Sequence, residues 1–230
     1  QILVRGVNDA PNITAPLSII VEEDVPEALT GISFSDVDAG SNAVTATFSV
    51  TSGTLSATSG GGVTVGGTAT VRTLSGAIND INAFISLGNL TFTTALNATA
   101  NETLSVSISD NGNSGTGSAL TDQATVTIEV TALNDAPVNT VPGPQQTDQD
   151  VPLVFSDGNG NSNLISVSDV DAGSNDVLVS LVSNNGRVTL SRIDGLSFLT
   201  GSGTNDVTLT IQGSYEAVNL ALNGLIFTPN

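Results

Sequence analysis

The sequence predicts an all-β fold in which two related β-sandwiches follow one another along 230 residues. Two observations carry this prediction. Short runs in which apolar and polar residues alternate, such as "TVTIEV" at 125–130, recur along the chain between clusters of Gly, Asn, Asp and Ser. Several distinctive segments also occur twice in the same order, which indicates an internal repeat.

The alternating runs read as half-buried strands. Because successive side chains of a strand point to opposite faces, alternation gives each strand one apolar face. Further runs of this kind are "AVTATFSV" (43–50), "LSVSIS" (104–109) and "DVTLTIQG" (206–213). Helical spacing is confined to Ile78–Ile85 and Tyr215–Leu222. Each of these two segments predicts one or two turns of helix inside a β domain.

The repeat relates the two halves of the chain segment by segment. The matched pairs are "VNDAPNIT" (7–14) with "LNDAPVNT" (133–140), "EEDVP" (22–26) with "DQDVP" (148–152), "DVDAGSN" at 36–42 and 169–175, and "INAFISLGNLTFT" (81–93) with "VNLALNGLIFT" (218–228). The first two pairs are 126 residues apart, as Asp9 and Asp135 are, whereas the heptapeptides are 133 apart. The extra residues of the second copy correspond to "DGNGNSN" (157–163). About seven short strands per copy is the pattern of an immunoglobulin-like sandwich.

The repeat also predicts domain boundaries. Residues 1–7 match the strand that precedes the second "NDAP", so they are expected to be the last strand of a preceding repeat. Residues 8–133 then form the first repeat and 134–230 the second. After "IFTPN" the second copy lacks two strands that the first copy has between 101 and 130, so its sandwich is expected to be incomplete at its C-terminal end. An alternative is strand exchange between subunits of a filament, with 2–7 filling a neighbour's gap.

Composition excludes most catalytic chemistry. The chain has no Cys, His, Lys, Met or Trp, so it cannot build a thiolate or imidazole zinc site, a Ser-His-Asp triad or a Schiff base. We therefore expect that it is not an enzyme. A glycosidase using Asp36 and Asp38 as acid and base is the remaining catalytic hypothesis, but two carboxylates in one exposed turn lack the facing geometry that it requires.

The charge balance restricts the partners. Lys and Arg total 4 against 22 Asp and Glu, a net charge of −18. Four scattered arginines cannot neutralise a phosphate backbone, so nucleic acid and anionic membranes are poor partners. No apolar run approaches the ~20 residues of a membrane span, so direct membrane insertion is not expected.

The acidic residues cluster in predicted turns, and this favours a hard cation. Carboxylate, amide and carbonyl oxygens select Ca²⁺ above other metals when no nitrogen or sulfur ligand is present. The heptapeptide "DVDAGSN" supplies two carboxylates at i and i+2, and its glycine lets the turn close around an ion. Taken alone, each such motif is also a common turn-former.

Strand order predicts which acids meet. In a seven-strand sandwich the B–C and F–G turns lie at the end where the chain enters. Asp36 and Asp38 fall in the first of these turns and Asp110 in the second, so all three are expected to converge with Asp9 of the incoming segment.

A second set of ligands is expected at the junction of the two repeats. Glu23 and Glu102 lie at the opposite end of the first sandwich, just above the linker. The linker itself contributes Asn134 and Asp135, and the head of the second repeat contributes Asp169 and Asp171. Calcium takes six to eight oxygens at about 2.3–2.6 Å, which three consecutive segments of this kind can supply. The sequence therefore predicts an ion at the joint between the repeats.

These motifs resemble those of bacterial cadherin-like, immunoglobulin-like tandem repeats in very large secreted surface proteins, including adhesins with RTX-type tails. The segments that carry the resemblance are "VNDAP", "EEDVP", "SDVDAGS", "INAFISLGNLTFT" and "ISDNGNSGTGSALTDQATVTIEVTALNDAP". It implies calcium at the junctions, an extracellular or cell-surface location, and a role in adhesion, biofilm or surface architecture. Gln149 of "DQDVP" replaces an acid of "EEDVP", which puts an equivalent site below the second repeat in doubt.

The expected function is a calcium-stiffened spacer or adhesive repeat whose partners are neighbouring repeats or subunits. The linker "TALNDAP" supports stiffness, because it has no Gly or Ser run and Pro137 fixes its direction. The alternative is a carbohydrate-binding module for surface glycans, which needs exposed aromatic rings. Most Phe residues lie in apolar strand patterns, and Tyr215 and Phe198 are the candidates for exposed rings.

Overall fold

In the computed structural model, which describes residues 2, 6–112 and 115–230, strands dominate and the chain divides after Leu133 into two units. Unit 1 ends at Leu133 and unit 2 runs from Asn134 to Asn230. The strand predicted over residues 1–7 falls mostly outside the described residues. Among the described residues, the helices lack the length and apolar character that crossing a membrane would demand.

Unit 1 is built from short strands and one helix. They are β1 (Asn12–Thr14), β2 (Ser18–Glu22), β3 (Glu27–Ala28), β4 (Ser33–Ser35), β5 (Ala43–Ser49), β6 (Thr54–Ala57), β7 (Thr64–Gly67), β8 (Val71–Ala77), α1 (Ile78–Ser86), β9 (Leu90–Thr93), β10 (Glu102–Ser109) and β11 (Thr121–Thr131).

The strands of unit 1 form two main sheets. One has six strands in the order β2-β11-β10-β5-β8-β7, and the other has three in the order β3-β9-β6. All pairs within these sheets are antiparallel except β2 with β11, which is parallel. Alternate residues of β5 are buried, as its sequence pattern predicts, and buried side chains from both sheets form one core. Within this core the rings of Phe34 and Phe48 meet edge to face at 6.2 Å.

Unit 2 repeats part of this design. Its elements are β12 (Val138–Thr140), β13 (Leu153–Phe155), β14 (Ser166–Ser168), β15 (Asp176–Val182), β16 (Gly186–Thr189), β17 (Ser197–Thr200), β18 (Thr208–Ser214), α2 (Tyr215–Leu222) and β19 (Leu225–Pro229). The sheets are β15-β18-β17, β13-β19-β16 and the pair β12-β14. They correspond to β5-β8-β7, β3-β9-β6 and β1-β4 of unit 1.

The fold class predicted from the sequence is confirmed. The chain is all-β apart from two short helices, and it contains two consecutive β-sandwiches. Unit 2, whose residues are all described, has no counterpart of β10 or β11, so β15 lies at the edge of its sheet. The second sandwich is therefore incomplete at its C-terminal end, as expected.

The helices fix the strand that leads into each Asp-x-Asp turn. The side-chain amide of Asn82 on α1 donates to the carbonyl of Phe34 at 2.8 Å and accepts from its N–H at 2.9 Å. Asn219 on α2 makes the same two bonds to Val167, at 2.7 and 2.8 Å. An asparagine amide thus satisfies both backbone groups of one strand residue in each unit, and Asp36 or Asp169 follows two residues later.

Candidate functional site

The first Asp-x-Asp turn, Asp36–Asp38, lies directly after β4. One carboxylate oxygen of Asp36 accepts the backbone N–H groups of Asp38 and Ala39, at 3.0 and 3.1 Å. The second carboxylate of the turn, that of Asp38, accepts the backbone N–H of Asp9 at 3.1 Å. Gly40 then takes a φ of +54°, which glycine adopts without strain. The incoming segment is therefore bonded to the turn through Asp9.

The second turn, Asp169–Asp171, repeats this arrangement within unit 2. Asp169 accepts from the N–H groups of Asp171 and Ala172, at 3.3 and 3.1 Å. The N–H of Asp135, in the segment that enters unit 2, donates to Asp171 at 2.9 Å. Gly173 has the same φ of +54° as its counterpart. The same local geometry occurring twice indicates a specific structure rather than a generic turn.

In each turn the second carboxylate affects the pKa of the first. Burial raises the pKa of Asp36, and the nearby charge of Asp38 raises it further, although two backbone N–H bonds act in the opposite direction. In unit 2 the hydrogen bond between the two carboxyl groups raises the pKa of Asp169 and lowers that of Asp171. A divalent cation between such carboxylates would remove their repulsion. The other oxygen of Asp36, Oδ2, is buried and lacks a hydrogen-bond partner.

Asp110 is held by a different set of contacts. Its Oδ1 accepts the N–H groups of Gly112 and Leu120, both at 2.8 Å, and its Oδ2 accepts the amide of Asn8. Burial would raise the pKa of Asp110, but these three hydrogen bonds outweigh it and hold the pKa below the ordinary value. Both oxygens are therefore engaged in closing the turn after β10.

Asn8 joins this end of unit 1 although sequence reasoning did not select it. Its amide nitrogen donates to Asp110 and to the carbonyl of Ser118, and the residue is only 6% exposed. Its Oδ1 is buried without a partner. Asn8 could have been selected from the repeated motif "NDAP", because Asn8 precedes Asp9 as Asn134 precedes Asp135.

Glu23 has the most unusual environment of the predicted ligands. The residue is 2% exposed, and its Oε1 accepts the N–H of Leu133 at 2.9 Å. Its Oε2 is buried and has no hydrogen-bond partner. A buried carboxylate oxygen without a donor or cation is costly, so this atom fits a cation ligand.

The two remaining predicted ligands are used locally. The Glu102 carboxylate accepts the N–H and the hydroxyl of Thr51, at 2.9 and 2.7 Å. Burial would raise the pKa of Glu102, but these bonds outweigh it and lower the pKa. Asn134 is exposed, and its amide donates to the carbonyl of Asp135 at 2.8 Å.

The oxygen set at each turn is limited. Across residues 2, 6–112 and 115–230, no group of three or more acidic side chains is arranged to hold a metal ion. Each Asp-x-Asp turn brings two carboxylates together, so calcium there would need amide, carbonyl and water oxygens as well.

The aromatic residues, all of which are described, are mostly interior. Phe34, Phe48 and Phe92 are at most 4% exposed. Phe198 is half-buried and packs against the core of unit 2, whereas Tyr215 at the start of α2 is 39% exposed. A single exposed ring offers little surface for stacking a sugar.

Comparison with known proteins gave similarity to solved structures only. No protein-family model matches the chain, and no curated protein matches it. A crystal structure of mouse cadherin-23 EC22-24 is 16% identical, with a TM-score of 0.36, over 90% of this chain and 55% of that one. The protocadherin gamma B2 extracellular cadherin domains 1-5 are also 16% identical, with a TM-score of 0.33, over 91% of this chain and 33% of that one. The chain thus spans about half of the first structure and a third of the second.

Proposed function

We propose that this chain is a calcium-binding structural repeat of an adhesive protein at the bacterial cell surface. The observation that carries the proposal is the buried, unpartnered Oε2 of Glu23. In water-free surroundings a carboxylate oxygen needs a donor or a cation, and the chain has only four basic side chains to offer. Calcium is the cation that an oxygen-only environment favours.

The Asp-x-Asp turns are the other half of the proposal. Asp36 with Asp38, and Asp169 with Asp171, each place two carboxylates close enough that the second raises the pKa of the first. Each pair also receives the N–H of an aspartate from the segment that enters its unit. Calcium at either turn would neutralise the pair and hold the incoming segment against it.

The backbone contacts of Glu23 and of the second turn lie close together in the sequence. Glu23 is bonded to Leu133, the last residue of unit 1, and Asp171 is bonded to Asp135, the second residue of unit 2. Only Asn134 separates these two attachment points in the sequence. Whether one ion joins them stays a prediction, and so do the ligand roles of Glu102 and Asn134.

The consequence for function is mechanical. A linker fixed by calcium at its ends would transmit force and direction from one repeat to the next, as a spacer that carries an adhesive tip requires. The sequence motifs shared with cadherin-like repeats of secreted surface proteins support this setting. Neighbouring repeats are then the immediate partners of each unit.

Calorimetric titration of the full chain with Ca²⁺ tests the proposal. We expect saturable binding that Glu23→Gln and Asp169→Asn each weaken, with Mg²⁺ binding much less tightly. Glu129→Gln is the matched control, because Glu129 is an exposed acid on β11. Absence of binding at millimolar Ca²⁺, or equal loss in the control, would overturn the proposal.

A further inference from the structure

We propose that unit 1 resists mechanical tension through the parallel ladder between β2 and β11. The role of this ladder in the protein rests on the proposed function as a spacer, which would place unit 1 under tension. The resistance itself does not depend on calcium, because the contacts that provide it are hydrogen bonds within the chain.

The direction of the two strands determines how a force reaches their hydrogen bonds. In chain order β2 is the first strand of the six-stranded sheet and β11 is the last, and they pair in parallel from Thr127↔Ser18 to Thr131↔Glu22. Since both strands run the same way, the N-terminal end of β2 and the C-terminal end of β11 lie at opposite ends of the ladder. A pull on these two ends therefore acts along the ladder and stretches its hydrogen bonds together.

The antiparallel pairs of the same sheet would respond differently to tension. In the pair β10–β11, for example, Ser109 at the end of one strand lies opposite Thr121 at the start of the next. The free ends of such a pair lie side by side, so a pull on them separates the strands one hydrogen bond at a time. The parallel pairing of β2 with β11 thus gives unit 1 its resistance along the chain direction.

Hydrogen bonds beyond the paired residues lengthen the ladder at both ends. At one end the N–H of Thr127 donates to the carbonyl of Leu17 at 3.0 Å. At the other end the N–H of Glu23 donates to the carbonyl of Thr131, also at 3.0 Å. The N–H of Leu133 then donates to the Glu23 carboxylate at 2.9 Å. The ladder therefore reaches the last residue of unit 1.

The inward side of the ladder is shielded from water. Val21 on β2 is 2% exposed and Ile128 on β11 is 0% exposed. Ile19 and Val130 pack against the same core. A hydrogen bond in surroundings of low dielectric constant is electrostatically stronger than one in water. The bonds that would be stretched are therefore among the better protected ones of the unit.

The chain is attached in parallel a second time, before it reaches β2. Val7 forms a parallel bridge with Thr116, in the segment that leads into β11. The N–H of Thr116 donates to the carbonyl of Gly6 at 2.9 Å, and the N–H of Asn8 donates to the carbonyl of Thr116 at 3.3 Å. Gly115 permits this close approach, because a Cβ there would lie 2.5 Å from the backbone nitrogen of Asn8. Both attachments join the incoming chain to the strand with which unit 1 ends.

Single-molecule force spectroscopy of the full chain in EDTA tests the inference by changing only the direction of the pull. The chain has no cysteine, so a pair of introduced cysteines defines the two attachment points. Leu17→Cys with Leu133→Cys applies the force along the ladder. The matched control, Glu22→Cys with Leu133→Cys, pulls the same strands apart from one end, and all three replaced residues are exposed. We expect the unfolding force along the ladder to be roughly twofold higher or more, because forced unfolding follows the barrier to unfolding in the direction of the pull.

Equal unfolding forces in the two directions would overturn the inference, and so would a higher force in the control. A force difference that follows a difference between the two variants in their free energy of unfolding, measured with urea, would overturn it as well. The proposed function fails separately, because it requires Ca²⁺ binding and the force measurement is made without Ca²⁺. A higher force along the ladder in a chain that does not bind Ca²⁺ would confirm the ladder and remove the ion from the account.

Discussion

At the scale of single residues, the buried carboxylate of Glu23 is the group that most directly calls for a cation. One of its oxygens is bonded to the backbone at the end of unit 1 and the other is buried without a partner. A neutral amide would keep the first contact and remove the uncompensated charge. The same change would remove a ligand, so its effect on stability should depend on calcium.

The effect of Glu23→Gln on the free energy of unfolding is expected to depend on whether Ca²⁺ is present. In EDTA the variant should be at least as stable as the native chain, by up to about 1 kcal/mol, because a buried carboxylate oxygen without a hydrogen-bond partner, Oε2, is removed. In Ca²⁺ it should gain less stability than the native chain. Urea unfolding in both conditions measures this, and Glu129→Gln should behave as native. A variant that is equally destabilised with and without Ca²⁺ would mean that the carboxylate is only structural.

The lowered pKa of Asp110 predicts that the free energy of unfolding falls at acidic pH. Its pKa is lowered below the ordinary 3.8 in the folded protein, so the unfolded chain binds its proton first as the pH falls. The stabilisation is therefore present above about pH 4 and disappears as the pH falls through the lowered pKa. We expect Asp110→Asn to lose about 1–3 kcal/mol at pH 7 and to flatten the pH dependence below 3.8. Unfolding from pH 7 to 2 in EDTA tests this, with the exposed Asp148→Asn as control; a native pH profile in Asp110→Asn would contradict it.

Many residues of the candidate site could be selected from the sequence alone. There is a physical reason why the others could not. The Asp-x-Asp pairs and the linker aspartates stand out because they recur in one order. Asp110 was also selected from the sequence, but its hydrogen bond to Asn8 was not, because that contact joins residues about 100 positions apart in the sequence. Burial of Glu23 likewise depends on the strand that ends beside it, which composition does not reveal.

At the scale of elements, each helix acts through one asparagine. Asn82 and Asn219 satisfy both backbone groups of the strand that precedes an Asp-x-Asp turn. The helical spacing of apolar residues predicted both helices, whereas this use of asparagine could be found only from the structure. The loop at 157–163 is also held by an asparagine, because the fully buried Asn163 makes hydrogen bonds to the backbone of Val154 and Ser156. This role, too, could be found only from the structure.

Asn82→Ala should loosen the strand and the turn that follows it. Two backbone groups of Phe34 lose their partners, so we expect the free energy of unfolding of unit 1 to fall by about 1–3 kcal/mol. Asn79→Ala is the matched control, because Asn79 is exposed on the same helix. Urea denaturation compares them, and equal stability of the two variants would contradict the role given to Asn82.

At the scale of the whole molecule, the internal repeat explains both what unit 2 has and what it lacks. The sheets of unit 2 match three groups of strands in unit 1, and the pattern of apolar positions predicts this. The absence of a strand at 144–148 can be read locally, because these residues are "PQQTD" where β2 is "SIIVE" and they lack its apolar positions. In unit 1 the pairing of β2 with β11 adds to this local preference.

If Ca²⁺ stiffens the linker, the distances between labels on the two units should vary less. The chain has no cysteine, so Thr125→Cys and Thr208→Cys introduce two unique, exposed labelling sites, one in each unit. We expect the distance distribution between spin labels at these sites to narrow when Ca²⁺ is added to an EDTA-treated sample. Asp169→Asn should reduce the narrowing. Identical distributions with and without Ca²⁺ would contradict the mechanical part of the proposal.

The measurement that tests the central claim most directly is thermal unfolding of the full chain in EDTA and in Ca²⁺. Binding to the folded state alone adds about 2.7 kcal/mol at a hundredfold excess over Kd, which corresponds to a rise in Tm of roughly 10 °C for domains of this size. We predict such a rise for the native chain and a smaller one for Glu23→Gln and Asp169→Asn. An unchanged Tm in millimolar Ca²⁺ would mean that the acidic residues only form turns, and it would contradict the proposed function.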